Sequence, residues 1–258
     1  QGMVKRCADS GFDLAAGLVE VVPTAHYLMG GVVVDVETRT SLAGLYVAGE
    51  DAGGAHGSNR LGGNGVANST VYGGIAGDVM AADAQKMSAL HDPDETILDE
   101  ELARAIIPFS AKPGNVQELR VRLMDAMWDD VGVMRDAAGL KLGIEKIASL
   151  KTDMENVGVS ADNLAFNLSW HDWLSLQSLI DTSEVIAKAG LSRENSRGAH
   201  FREDFPDAGS LDDSYFTIAT SGDKGIEVNR EAVKFTIVKP GESLLGADEA
   251  ETLVEAAQ

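Results

Sequence analysis

The sequence predicts an α+β chain in three parts: a glycine-rich α/β segment, a bundle of about three helices, and a small C-terminal β segment. Three observations carry this reading. Short apolar runs bounded by turn residues crowd the first 50 positions. Apolar residues at helical spacing dominate positions 115–189. β-branched and alternating runs return after position 211. The predicted boundaries are 1–88, 89–210 and 211–258.

Residues 3–9 carry a weak helical pattern that stops at Ser10-Gly11, a plausible C-cap. Residues 18–22 and 31–36 (GVVVDV) read as strands, and residues 45–48 (LYVA) as a buried strand ending at Gly49. Residues 51–63 hold five glycines without periodicity and read as a loop. Residues 64–82 read as a helix with Val66, Val71, Ile75, Val79 and Met80 roughly on one face. After Ser88 the composition turns acidic, and residues 91–101 read as a linker or domain boundary. Residues 115–136 follow as a helix, where Asn115 and Glu118 form a capping-box pattern. Residues 140–150 and 168–189 complete the bundle, the last ending at Gly190. Residues 215–219 and 233–238 supply the β segment.

The composition excludes several classes. With 258 residues, 44% hydrophobic and 24% charged, the chain is globular rather than disordered. Its formal charge of -20 repels nucleic acid and anionic membrane surfaces. A local Arg/His pocket can still hold a small anion against that field. The single cysteine, Cys7, rules out an intramolecular disulfide and a cysteine-rich metal cluster, and fits a reducing compartment. No apolar run approaches the roughly 20 residues that cross a bilayer. The chain opens on Gln1 and runs into what reads as a helix end, so it is expected to be the C-terminal part of a longer polypeptide.

The chemistry concentrates in residues 23–64. His26, Glu50, His56 and Arg60 stand there among glycine turns, the composition of an anion site beside a cofactor. Gly63 to Asn68 approximates GxGxxG, but a loop precedes it where the dinucleotide fingerprint needs a strand. Gly57 and Gly62 have P-loop spacing, but Gly-Asn follows where Lys-Ser/Thr is required. What survives is a glycine-rich lead into a helix starting near Asn64, whose free N–H groups suit an anionic group such as the N1–C2=O edge of a reduced flavin. A plain glycine-rich surface loop is the alternative. Glu50 ends a strand, where an acid commonly accepts from a sugar or ribityl hydroxyl, or simply faces solvent. An Arg fork such as Arg60 gives bidentate carboxylate recognition, and a His adds a second contact.

These residues also carry a family resemblance. PTAHYLMGG (23–31), GLYVAGE (44–50) and HGSNRLGGN (56–64), in this order, resemble the C-terminal half of the flavoprotein subunit of succinate dehydrogenase and fumarate reductase. L-aspartate oxidase is a close relative. RENSRGAHFREDFP at 193–206 is similar to that family's C-terminal signature, so the resemblance covers essentially the whole chain.

The resemblance implies a partial FAD-binding domain over 1–88, with FAD as cofactor and succinate or fumarate as substrate. His26 and Arg60 would bind a substrate carboxylate, and Glu50 the ribityl region. Gly31, Asn64, Gly65 and Val66 would lie along the flavin. The family pattern reads Ser-Leu-Leu after GGN, where this chain has Gly65-Val66-Ala67, so a serine hydroxyl contact is missing. Asn195 stands where many relatives carry Glu.

No catalytic acid or base is assigned within the chain, because the family's proton-shuttling arginine lies in a capping segment upstream. The implied partners are that segment and an iron–sulfur protein. The implied location is the cytoplasm, peripheral on the inner membrane face. The alternatives are an L-aspartate oxidase-like enzyme and a non-catalytic docking module. Arg197, His200 and Arg202 form a second basic cluster, read as structural, with Glu203 and Asp204 as local partners.

Overall fold

The computed structural model describes residues 2–20, 26–89, 92–222, 225–240 and 242. The chain divides into two compact units, Gln1–His56 with Arg60–Ala82, and Gly57–Asn59 with Asp83–Gln258.

The first unit opens with α1, Gly2–Asp9. Its end is a Schellman motif: Phe12 N–H donates to Cys7 O at 2.8 Å and Gly11 N–H to Ala8 O at 3.0 Å. Gly11 supplies the positive φ of 86° that this cap needs. The β-rich runs do not become full strands. Among the described residues of this unit they make two isolated bridges, Val32 with Ala52 (parallel) and Arg39 with Tyr46 (antiparallel). A strand is defined by a neighbour to pair with, and here each segment meets another at only one position. Val33 and Val36 are accordingly exposed. The strand expected at 18–22 lies partly outside the described residues, and 18–20 are irregular. The helix expected at 64–82 forms as α2, Asn64–Lys86, one turn longer.

The second unit is built on helices. α3 spans Glu95–Ser110, α4 Val116–Asp129, α5 Ala137–Glu155 and α6 Leu168–Ser192. The reading of 91–101 as a linker is corrected, with His91 itself outside the described residues. Asp94 caps α3 by accepting from Thr96 N–H, Glu95 stands in the first turn, and the acidic stretch from there to Glu101 is helical. Pro108 inside α3 disguised the helical pattern.

The helix expected over 115–136 stops at Asp129, because a turn through Gly132 follows; a Cβ on Gly132 would lie 2.3 Å from Trp128 O. Asn115 caps α4 by accepting from Glu118 N–H, as the capping pattern requires. Leu119, Leu123, Val131, Leu140, Ile147, Leu150, Met154, Val159, Trp173, Leu176, Ile180 and Ala187 form one buried cluster. Trp173 keeps its indole N–H paired inside it, donating to Val157 O at 2.8 Å.

Two small sheets complete this unit. β1, Met134–Arg135, pairs in parallel with β2, Phe201–Arg202. β3, Tyr215–Gly222, and β4, Gly225–Ala232, form an antiparallel ribbon. The strand expected at 233–238 is irregular instead, and the second strand lies immediately before it. Alternation in IEVNRE is the period-two signal that marks the true strand.

Candidate functional site

In the first unit, two segments lie backbone against backbone. Val32 N–H donates to Asp51 O at 2.8 Å, and Gly53 N–H donates to Val32 O at 3.0 Å. Gly31 makes the approach possible. Its φ is 153°, and a Cβ there would sit 2.3 Å from Asp51 O. The carboxylate of Glu50 reaches back across the same junction and accepts from Leu28 N–H at 2.9 Å. One Glu50 oxygen therefore fixes the segment that follows His26.

Arg60 is half-buried and its guanidinium carbon lies 4.4 Å from the centroid of the Tyr27 ring. Its Nη1 donates to Leu61 O at 3.2 Å, and its backbone N–H points at Met29 Sδ at 3.1 Å. Its Nε–H is buried and unpaired. Among the described residues no carboxylate forms an ion pair with it. The Arg60 Nε–H is thus left without an acceptor, and its charge without an anion among the described residues.

Beneath Arg60 lies a side-chain network that sequence reasoning missed. The Tyr27 hydroxyl lies 3.3 Å from His56 Nε2 and 3.3 Å from Asn68 Nδ2. Asn68 Nδ2 also reaches His56 Nε2 at 3.1 Å and the Gly49 carbonyl at 3.1 Å. His56 Nε2 thus meets both the Tyr27 hydroxyl and the Asn68 amide. Asn68 is buried, and its Oδ1 has no partner. Its only sequence signal was a polar side chain in the second turn of a largely apolar helix.

α2 begins beside this network. Asp94, Asn115, Asp136 and Asn167 cap α3 to α6, whereas no side chain among the described residues caps α2. Asn64 N–H donates to Leu61 O at 3.2 Å, and the N–H groups that follow it in the first turn have no side-chain cap. A Cβ on Gly65 would lie 3.0 Å from Tyr27 Cε2, which crowds the ring, and at an ordinary contact distance of 3.6 Å from Arg60 Cζ. Asn64 and Val66 are exposed on the same first turn. The structure thus brings Arg60, Gly65, Glu50 and Gly31 into one unit around Tyr27 and the 49–53 segment. His26 is exposed and makes no hydrogen bond or ion pair among the described residues.

The second basic cluster lies wholly in the second unit. Arg202 is fully buried. Its Nη1 donates to the carbonyls of Gly190, Leu191 and Arg193 at 2.9, 3.0 and 3.2 Å, closing the C-terminus of α6. Its Nε and Nη2 grip Asp204 bidentately at 2.7 and 2.8 Å. That guanidinium holds the Asp204 carboxyl down to about 2. Arg135 Nη1 lies 3.0 Å from His200 Nδ1, and His200 Nε2 lies 3.2 Å from Arg193 O. Burial lowers the His200 pKa, partly opposed by the Arg193 carbonyl and reinforced by Arg135, Arg193 and Arg202. Arg197 donates to Ala208 O and Ser214 Oγ. Residues 57–59 group with this unit: Ala199 N–H donates to Ser58 O at 3.0 Å, and a Cβ on Gly198 would lie 2.4 Å from the same oxygen. These arginines are consumed by structural acceptors, Asp204 among them as expected, whereas Glu203 forms no ion pair with them among the described residues and only its backbone N–H donates, to Arg135 O at 2.7 Å.

Comparison with known proteins adds the family. Residues 120–244 match the family model described as fumarate reductase flavoprotein C-term, and residues 6–66 match the FAD binding domain. The chain is 37% identical over 207 residues to one subunit of the fumarate reductase (CoM/CoB) of Methanothermobacter marburgensis, covering 80% of this chain and 37% of that one. It is 34% identical over 208 residues to L-aspartate oxidase 1 of Ralstonia nicotianae, covering 79% and 36%. The solved structure of Mycobacterium smegmatis Sdh1 in complex with UQ1 superposes with a TM-score of 0.79 at 30% identity, covering 98% of this chain and 43% of that one. The chain spans well under half the length of the curated relatives it matches. It belongs to the flavoprotein family of fumarate reductase and succinate dehydrogenase, and its cofactor is FAD.

Proposed function

We propose that this chain forms part of an FAD-dependent oxidoreductase interconverting succinate and fumarate, with Arg60 and His26 binding a carboxylate of the dicarboxylate. The observation that carries this is the Arg60 guanidinium, half-buried, unpaired at Nε and without an internal acid. A dicarboxylate offers the bidentate acceptor that this fork lacks. Fixing one carboxylate also orients the adjacent carbons and draws electron density from a conjugated C=C bond, an electrostatic contribution that needs no proton.

The residues present fit a flavin. The uncapped first turn of α2 offers N–H groups, and Gly65 leaves a surface without a side chain. Gly31, Asn64, Gly65 and Val66 would hold its ring system through backbone contacts, and the free Glu50 oxygen would accept a ribityl hydroxyl. When bound, FAD supplies the two-electron hydride chemistry at N5. No residue of this chain is assigned the proton transfer, which falls to an upstream capping segment in this proposal. Residues 1–88 would be the FAD-binding part, 89–210 the helical domain and 211–258 its β extension.

Electrons would pass to or from an iron–sulfur partner, with the protein peripheral on the cytoplasmic membrane face. Among the described residues no helix is long and apolar enough to cross a membrane. The match to L-aspartate oxidases favours a second substrate of similar shape, since aspartate also presents two carboxylates on a four-carbon chain.

The test is Arg60→Ala in the FAD-loaded protein expressed from its natural gene. Loss of a charge-assisted bidentate contact is expected to lower kcat/KM for fumarate by about 100-fold or more with FAD content unchanged. Near-normal turnover at unchanged KM defeats the assignment. Running L-aspartate alongside succinate decides between the two substrates.

A further inference from the structure

We infer that Tyr27 is a positioning residue for Arg60: its ring is the platform that sets the guanidinium plane, and His56, Asn68 and Gly65 hold that ring in place. The inference rests on the reading of Arg60 as a carboxylate binder and says what makes that residue competent.

Most buried arginines are oriented by an acid. Arg202 in the second unit is an example, gripped at two nitrogens by Asp204. Arg60 has no such partner, and its one side-chain bond goes to its neighbour, Leu61 O. What fixes it is the Tyr27 ring, whose centroid lies 4.4 Å from the guanidinium carbon. An aromatic face and a carboxylate differ in a way that matters for function. A carboxylate occupies two in-plane donors and cancels the charge. A ring takes the cation on its face, leaves every in-plane N–H free, and leaves the charge uncompensated.

The platform is itself held on three sides. Its hydroxyl meets His56 Nε2 and Asn68 Nδ2, both at 3.3 Å. The His56 ring packs against it edge to face, with centroids 5.3 Å apart and an interplanar angle of 80°. Gly65 borders its edge, where any Cβ would lie 3.0 Å from Tyr27 Cε2. Asn68 also donates to the Gly49 carbonyl, so the platform is tied to the segment that carries Glu50. Four residues scattered from 27 to 68 thereby converge on one geometric task.

The experiment uses the FAD-loaded protein expressed from its natural gene, with Tyr27→Leu, Tyr27→Phe, Arg60→Lys and the double variant Tyr27→Leu/Arg60→Lys. Malonate, a dicarboxylate that cannot be desaturated, is titrated calorimetrically for Kd. KM and kcat are measured with fumarate, and FAD content is read from absorbance. Tyr27→Leu is expected to weaken malonate and raise KM about tenfold with a smaller change in kcat, because a contact made in ground and transition states alike is lost.

Tyr27→Phe keeps the ring but gives up the two hydroxyl contacts that help to hold it, so it is expected to lose about threefold, short of the tenfold loss in Tyr27→Leu. In the Arg60→Lys background, removing the ring should add less than about twofold, since coupled residues are not additive. Natural malonate affinity in Tyr27→Leu overturns the inference, as does a full tenfold loss that persists in the Arg60→Lys background. Indifference of Arg60→Lys itself would instead sink the underlying reading of the carboxylate site. If Tyr27→Leu does not accumulate folded, Tyr27→Phe and Tyr27→Trp carry the test. A tenfold loss in both overturns the inference, because both retain an aromatic face.

Discussion

At the scale of single residues, charge was easier to find in the sequence than to assign. Arg60 and Arg202 both stand in segments that carry the family resemblance, yet one is left with a free donor and the other is spent on three carbonyls and a carboxylate. Local sequence marks part of the difference, since Asp204 lies two residues from Arg202 and no acid stands that near Arg60; the rest is made by residues distant along the chain. Tyr27 and Asn68 were illegible for the same reason: α2 brings position 68 back to positions 27 and 49. His200 makes the residue scale testable. Its pKa is lowered by burial and by three nearby arginines, so the folded state keeps it neutral where the unfolded chain takes up a proton. Stability linked to His200 is therefore present above its ordinary value near 6.5 and is lost as pH falls below it, through the lower folded value. The melting temperature should drop between about pH 7 and pH 5. His200→Gln, which retains a donor and an acceptor without titrating, should flatten that drop, as differential scanning calorimetry at both pH values would show. An unchanged slope in the variant would place the pH sensitivity elsewhere.

At the scale of elements, helices were legible where a cap announced them and hidden where proline interrupted them. Asn115 signalled α4 correctly, while Pro108 concealed α3. Strands were misread because an apolar run states a preference, whereas a strand also needs a partner at matching register. Residues 31–36 have the preference and, among the described residues, find only the Val32–Ala52 bridge. Asn167 shows how much one cap residue can carry. Its Oδ1 accepts from Trp170 N–H at 3.0 Å, and its Nδ2 donates to Ala161 O at 3.1 Å and Asn163 O at 2.9 Å. It is 3% exposed, so water cannot replace these bonds readily. Asn167→Ala should destabilise the fold by about 2–3 kcal/mol, combining a lost cap with two stranded carbonyls. Asn167→Asp keeps the cap acceptor and loses the two donors, so its cost in urea unfolding should come from those donors. Equal stability of the Ala and Asp variants would show that the cap contributes nothing.

At the scale of the whole molecule, the two units are unequally consolidated, and that follows from where apolar residues are buried. The second unit has a twelve-member hydrophobic cluster, centred on Leu140, Ile147, Trp173 and Leu176. In the first unit the fully buried apolar side chains are Ala52 and Ala76 alone among the described residues, joined by polar Thr38 and Asn68. Burying two alanines offsets little of the entropy of ordering about 80 residues, whereas a cluster with eleven larger side chains offsets far more. The first unit should thus depend on what it binds, and the second should stand without it. Limited trypsin digestion of the flavin-free chain is expected to cut first at Arg39 and Arg60 and to leave a fragment beginning after Lys86. Added FAD is expected to slow the cut at Arg60 selectively, because a ligand that binds only the folded unit stabilises it by mass action. Mass spectrometry of the fragments reads both outcomes. Early cutting within α5 or α6 while 2–82 survives would reverse the order of stability derived from the cores. A cut at Arg60 indifferent to FAD would mean that the glycine-rich loop and the first turn of α2 do not hold the cofactor.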